Sequence, residues 1–532
     1  MTTPLSEITE IHASLSSTFL TSLSSSTKPN TTPSSKAGQY PVLSLPYRQH
    51  QLLQLARLVQ ENADALCHSL WVDEGKPRQE VLMAEIGAVI DRALKSAREL
   101  EAWVGGGADM GEDVKLAGWQ VGWKARVEKK AKGVVLIISP WNYPITLTLQ
   151  PVCGAIAAGC PALIKPSEVV PTFSKLLAEL VPKYLDPATY RVALGGVPEI
   201  TRILELKWAH IFYTGNARVA RIIAAAAAKH LTPMTLELGG KSPVIIDGAS
   251  LGEAELRVAA RRIVWGKVNN AGQICVAPDY VLIEPAYIPQ FISACRAALD
   301  SFFPNGALNS HDYGRIVSEA HFSRVKGLLR DTKGRVVIGG GVLDGSGGPH
   351  EGAWARGVEP TVVLLDEATA ADDVLLQDEL FAPILPILPV ASVAAALEYV
   401  RAHAHPLVIY AFTESDEVKR EVKAGTMSGN VVFNDTFNQL SGAYLSFVRF
   451  SFRRASILDE IPFGGVGESG YGRQPLKWTF EEFVYLRSVL DVPFSEEPKF
   501  GGRYPPSSKE SLDFFERCLK VPIASVEELG GR

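Results

Sequence analysis

Cys275 lies in a stretch, Trp265 to Tyr280, of small and amide side chains that holds no acid before Asp279. A thiol attacks as its thiolate, which forms more readily where negative charge is absent. Upstream, Glu237 stands between Leu236 and Leu238 at the end of an apolar run, just before Gly239 and Gly240. Leucines on both sides predict a raised carboxyl pKa, the range a general base needs near neutral pH. Further upstream, Asn142 follows another apolar run, within Pro140-Trp141-Asn142-Tyr143-Pro144. A thiol, a proton-accepting carboxylate and an amide donor for an oxyanion are the parts of acyl chemistry through a thioester. Each has an ordinary alternative: an inert buried thiol, an exposed strand-end acid, an asparagine in a turn. Cys153, Cys160 and Cys295 occur in helical or core settings and read as packing residues.

The elements that must hold these groups alternate. Strands are expected at 133–138, 162–165, 191–194, 210–213 and 235–238, with helices at 145–158, 172–185, 199–206 and 217–229 between them. Strands separated by helices imply a parallel sheet covered on both faces, with ligands at the carboxyl ends of its strands. After Gly240 the pattern restarts: strand 243–246, helix 253–268, the Cys275 loop, strand 280–283 and helix 288–302. The fold class is therefore α/β, with a second α/β domain over 239–436. A helical pattern opens at Tyr47, with Leu52, Leu53, Leu55, Leu58 and Val59 on one face. Asp73-Glu74-Gly75-Lys76-Pro77 reads as a break before a helix from about Arg78 to Trp103. Ile8 to Leu20 forms an amphipathic helix, and residues 22–40, rich in Ser, Thr, Pro and Lys, read as a flexible loop within an N-terminal segment of about 1–40.

The totals exclude several classes. The chain has 532 residues, a net charge of −5 and 21% charged side chains. That balance gives no electrostatic footprint for nucleic acid or an anionic membrane surface. The six cysteines show neither zinc-type pairing nor a compact disulfide framework, so no metal is expected and a reducing compartment, the cytoplasm, is the plain reading. No charge falls between Lys132 and Lys165, yet Pro140, Pro144, Pro151 and Pro161 interrupt that stretch. It reads as strand, loop, helix and strand in a core rather than a membrane span. No secretory signal pattern opens the chain.

The segments around Asn142, Glu237 and Cys275 resemble the aldehyde dehydrogenase superfamily. The pattern Gly-Gln-x-Cys-Val-Ala-Pro-Asp-Tyr over 272–280 is similar to its class 3, or fatty-aldehyde, branch. The resemblance runs from about Tyr47 to Pro506. It implies a Rossmann-like NAD(P)-binding domain at 41–238, a catalytic domain at 239–436, and a return to the first domain at 461–532. It also implies a small β element for a homodimer, including a hairpin at about 118–131. The activity implied is oxidation of an aldehyde to the acid, with Cys275 as nucleophile, Glu237 as general base and Asn142 as oxyanion donor. The substrates implied are medium- or long-chain aliphatic, aromatic or apocarotenoid aldehydes. The cofactor residues implied are Trp141, Lys165, Glu168, Gly215, Asn216, Glu379 and Phe381. Glu168, able to accept both ribose hydroxyls, leans towards NAD, while the branch also accepts NADP.

Some positions depart from the pattern. Ala220 stands where a second glycine is usual, Asn216 where serine is, Ala382 where glycine is, and Glu468 where asparagine is. A larger departure is the aromatic and basic run at 440–456, inside an atypical insertion at 437–460. It reads as a surface hairpin, a disordered loop or translated intron, and the last is favoured. Two rival functions remain at this stage: a cofactor-binding but catalytically impaired member of the same fold, and a cofactor-independent thioesterase or esterase.

Overall fold

A computed structural model describes residues 2–25, 44–105, 111–343, 352–440 and 461–525. Most of the expected loop at 22–40 and all of the 440–456 run except Leu440 lie outside the described residues. Residues 22–25 are helical and close the helix Leu5–Ser25. Contact density divides the chain into two compact units, Met1–Trp103 with Ala131–Tyr485, and Val104–Lys130 with Leu486–Arg532.

The first unit contains both large sheets. One has six strands in the spatial order Gly470–Tyr471, Met234–Leu238, His210–Gly215, Val135–Ile138, Ala162–Lys165 and Tyr190–Val192. All neighbours are parallel except Gly470–Tyr471, which runs antiparallel to Met234–Leu238 with Gly470 opposite Glu237. The other has seven strands, ordered Arg335–Ile338, Thr361–Leu364, Ile384–Pro389, Tyr280–Ile283, Pro243–Ile246, Val408–Phe412 and Asn430–Phe433. Only the Arg335 strand is antiparallel to its neighbour. Sheet membership changes between Leu238 and Pro243. The strands Val135–Ile138, Ala162–Lys165, Pro243–Ile246 and Tyr280–Ile283 are buried at every position, as strands covered on both faces must be.

Most expected elements lie within a residue or two of those found. The strand Ile384–Pro389 had no sequence signal, because Pro386 and Pro389 argue against an interior strand. Burial overrides that preference: five of its six residues are inaccessible. In the helix Leu45–Glu61, Leu52, Leu55, Leu58 and Val59 are buried, but Leu53 is 42% exposed and does not share their face. Helix Leu5–Ser25 buries Ile8, Ile11 and Leu15. The expected helix after Pro77 forms, with Val81–Ile86 wound as a π-helical turn before Gly87–Val104. Such turns often occur at functional sites.

A further sheet has three strands, Gly111–Asp113, Arg126–Ala131 and Val484–Val489. Residues 118–131 do not form a hairpin with themselves. Gly118–Trp123 is a 3-10 turn, and Arg126–Ala131 pairs antiparallel with Gly111–Asp113. Gly118 and Gly122 weaken the first half as a strand.

Candidate active site

Cys275 follows a tight turn in which Asn270, Ala271 and Gly272 all have positive φ, at 46°, 51° and 75°. Gly272 is required there twice over. Its φ is left-handed, and a Cβ would stand 2.2 Å from the Ala382 carbonyl oxygen. Gln273 locks the turn through its whole amide. Its Nε2 donates to the carbonyls of Asn270 (2.8 Å) and Arg315 (2.9 Å), and its Oε1 accepts from Val317 N–H (3.1 Å). The glutamine of the Gly-Gln pair therefore shapes the loop. Beyond Cys275, the Tyr410 hydroxyl donates to the Val276 carbonyl at 2.7 Å.

Asn142 sits at the carboxyl end of strand Val135–Ile138 and is buried. Its Nδ2 donates to the Gln273 carbonyl at 3.0 Å, which ties it to the Cys275 loop. An amide nitrogen has two hydrogens, so a second donor remains for an oxyanion. Asn142 and Cys275 line one cavity of ≈ 930 Å³, its open mouth included. The walls are mainly apolar, with Ala84, Ala88, Leu147, Ile274, Val276 and Phe437 among them.

Glu237 is buried at the end of strand Met234–Leu238, and neither carboxylate oxygen has a hydrogen-bond partner. Burial holds its pKa well above the usual carboxylate range, offset in part by Arg473 and reinforced by Glu482. The direction agrees with the sequence, but the reason differs. Leu236 and Leu238 leave the strand on the opposite face and pack in the core, so they do not surround the carboxyl. A second expectation is overturned. Cys275 is not free of negative charge: burial first, then Glu379 and Glu237, push its thiol up to about 12. Those acids come from other parts of the chain and are invisible in the window around the cysteine.

The residues expected to hold a dinucleotide gather at the carboxyl ends of the six-stranded sheet. In chain order its parallel strands run 3-2-1-4-5, and the order reverses between the strands ending at Ile138 and Gly215. A crevice at such a reversal is where open α/β sheets bind ligands. Lys165 ends its strand, donates to the Pro166 carbonyl (2.8 Å) and pairs with the exposed Glu168 (3.2 Å). Asn216 caps the helix Ala217–Ala228 by accepting from Val219 N–H at 2.9 Å, so backbone donors cluster beside Gly215. Ala220 is buried in the core, so its methyl is spent on packing.

Glu379 lies against Gly239, where a Cβ would stand 2.3 Å from its carboxylate. Burial, then Asp279, pushes Glu379 up to about 8, with Gly240 N–H, Lys241 and Lys267 acting the other way. Its loop is pinned by Lys241 to the Asp378 carbonyl (2.9 Å) and by Arg324 to the Leu380 carbonyl (2.7 Å). Trp141 meets Phe381 edge-on at 5.4 Å and His321 at 5.0 Å. An exposed carboxylate paired with a buried lysine, a capped helix start and a second carboxylate at a glycine cradle fit the ribose and pyrophosphate of NAD(P). Glu468 accepts from His405 N–H (3.3 Å) and pairs with its ring (3.0 Å). Sequence reasoning missed Lys76, Glu80 and Glu85, buried beneath this site, and His321. No periodicity marks them.

The aldehyde dehydrogenase family model matches residues 34–489. The dimeric NADP-preferring aldehyde dehydrogenase of Rattus norvegicus is 38% identical over 472 residues, covering 87% of this chain and 94% of that protein. The chloroplastic family 3 member I1 of Arabidopsis thaliana is 37% identical, covering 90% and 81%. Among solved structures, the substrate-bound state of Staphylococcus aureus AldH superposes with a TM-score of 0.79 at 32% identity, covering 90% and 96%. The chain belongs to the aldehyde dehydrogenase family, and so to the NAD(P)-dependent oxidoreductases of aldehydes. Within it, relatives at 36–38% identity that carry family 3 names set it in the class 3 branch.

Proposed function

We propose that this chain oxidises an apolar aldehyde to its acid through a cysteine thioester, with Asn142 and Glu237 supplied by the six-stranded sheet and Cys275 by the loop before strand Tyr280–Ile283 of the seven-stranded one. The observation that carries the proposal is the convergence of Cys275 and Asn142 on one largely apolar cavity. The Cys275 thiol passes its proton to water in the open cavity as its sulfur adds to the aldehyde carbon, and the Asn142 side-chain N–H and the Cys275 backbone N–H hold the oxyanion. When bound, the nicotinamide supplies the hydride acceptor that turns the thiohemiacetal into a thioester. Glu237, unpartnered and with a raised pKa, takes a proton from water as it attacks the thioester. The acid leaves and the thiol is restored.

The cavity walls suit medium- or long-chain aliphatic, aromatic or apocarotenoid aldehydes. Lys165 and Glu168 serve the adenosine ribose, Gly215 and Asn216 the pyrophosphate, and Glu379, Phe381 and Trp141 the nicotinamide end. Glu168 favours NAD, yet its pairing with Lys165 offsets the charge a 2′-phosphate would meet, so NADP is accepted too. Exposed Leu486, Leu490 and Phe494 in the second unit support a homodimer through that unit. Six unpaired cysteines are consistent with the cytoplasm. No helix among the described residues is long and apolar enough to cross a membrane.

The test is formation of reduced cofactor with NAD or NADP across aldehydes of rising chain length, beside Cys275→Ala. Turnover that rises with apolar chain length and vanishes in the variant is expected. Turnover that survives the substitution would sink the mechanism.

A further inference from the structure

The segment Asp73-Glu74-Gly75-Lys76-Pro77 looks like a break between helices, yet its lysine is completely buried. The Lys76 ammonium donates to the Asn142 carbonyl oxygen at 2.5 Å and to Glu85 Oε1 at 2.9 Å. Glu74 Oε2 lies 3.1 Å away as a charge contact without hydrogen-bond alignment. Burial alone would lower the lysine pKa, but Glu74, Glu85 and Glu80 outweigh it and raise it, so the group is a fixed cation. The same stretch holds both halves of the site. Glu85 Oε2 accepts from Ile145 N–H (2.8 Å), just after the Asn142 loop. Glu80 accepts from the Tyr143 hydroxyl (2.6 Å) and from Asn270 N–H (3.1 Å), joining that loop to the turn before Cys275. Asn270 Nδ2 also donates to the Asn142 carbonyl at 2.8 Å.

We propose that Lys76 is a positioning residue for the oxyanion donor: by holding the Asn142 carbonyl it sets where the Asn142 amide stands relative to Cys275. The proposal rests on the reading of Asn142 as that donor. A buried ion group is costly to assemble, and apolar residues of the same volume often stabilise as well or better. A cation here therefore requires a role beyond stability. The carbonyl of a residue whose side chain must be placed to a fraction of an ångström supplies one.

The experiment compares Lys76→Met, Lys76→Gln, Asn142→Ala and the double variant Lys76→Met/Asn142→Ala in the full-length enzyme with NAD and a turned-over aldehyde. Single-turnover rate, KM, cofactor affinity by fluorescence and thermal midpoint are measured. Lys76→Met is expected to slow the single turnover by about 10- to 10³-fold, up to the loss of one oxyanion donor. KM and cofactor affinity should stay within about threefold. In the Asn142→Ala background the same change should add less than about threefold, since groups acting through one another are not additive. Lys76→Gln, which keeps an N–H but not the charge, carries the test if Lys76→Met does not fold. A folded Lys76 variant with a wild-type rate, or one whose loss is as large without Asn142, overturns the proposal. So does failure of both variants to fold, because the lysine is then a structural ion. Asn142→Ala reports separately: a wild-type rate there sinks the oxyanion reading itself.

Discussion

Around Cys275 the amide and ammonium donors are paired inside protein, while the buried Glu237 carboxylate has no hydrogen-bond partner. Asn142, Asn270, Gln273 and Lys76 are all buried, and each donates to a named carbonyl or carboxylate. Just past the two strands that flank the Asn142 strand, at the same carboxyl edge, Asn216 and Glu168 face solvent, and the Glu168 carboxylate is 56% exposed beside its lysine. Bond-making demands groups fixed before the reaction in a dry setting, where their charges act strongly. Gripping a ribose demands only donors and acceptors within reach, and water can stand in for part of each bond. The two regions should therefore respond unequally to comparable changes.

Cys275→Ala should abolish turnover while leaving cofactor affinity unchanged, measured by reduced-cofactor absorbance and by fluorescence titration. Glu237→Gln should slow steady turnover by about 10²- to 10⁴-fold yet keep a first burst of reduced cofactor, because in the proposed mechanism the base serves thioester hydrolysis. The pH profile sharpens this. A carboxyl with a raised pKa is protonated on the acid side and works only once deprotonated, so the wild-type rate should climb with pH through that raised value. The glutamine variant should lack that limb. A retained limb would move the titration to another group.

Gly272→Ala sets a side chain against the Ala382 carbonyl at a left-handed φ. It should destabilise the fold by about 1–3 kcal/mol in chemical denaturation, and slow turnover by displacing the nucleophile loop. The smallest effect is expected at the ribose end. Glu168→Gln should shift the NADP-to-NAD preference by about two- to fivefold, as exposed charge interactions are weak and screened. A shift of a hundredfold there would break the comparison, for it would make the exposed carboxylate as decisive as the buried site.

Much of this was legible in the chain. The apolar runs before Asn142 and ending at Leu238 marked strands, and a polar residue closing such a strand stands at the binding edge of a parallel sheet. The helices at 253–268 and 288–302 match the elements found. The strand Ile384–Pro389 was hidden by its prolines, and the 118–131 segment by an alternation that tertiary pairing did not use. Lys76, Glu80 and Glu85 were hidden for another reason. A charged residue in a polar stretch looks like any solvated one until the fold encloses it.

The types of the proposed reacting groups, the order of strands and helices, and the family itself were determined by the sequence. Apolar periodicity and local turn chemistry act over a few residues and can be read without a fold. Only the tertiary structure decided how those groups are tuned. It buried Cys275 and brought Glu379 and Glu237 close enough to raise its pKa further, left Glu237 dry, and set a lysine sixty-six residues away under the Asn142 carbonyl. Desolvation and Coulomb forces depend on distance in space, and that distance exists only once the chain has packed.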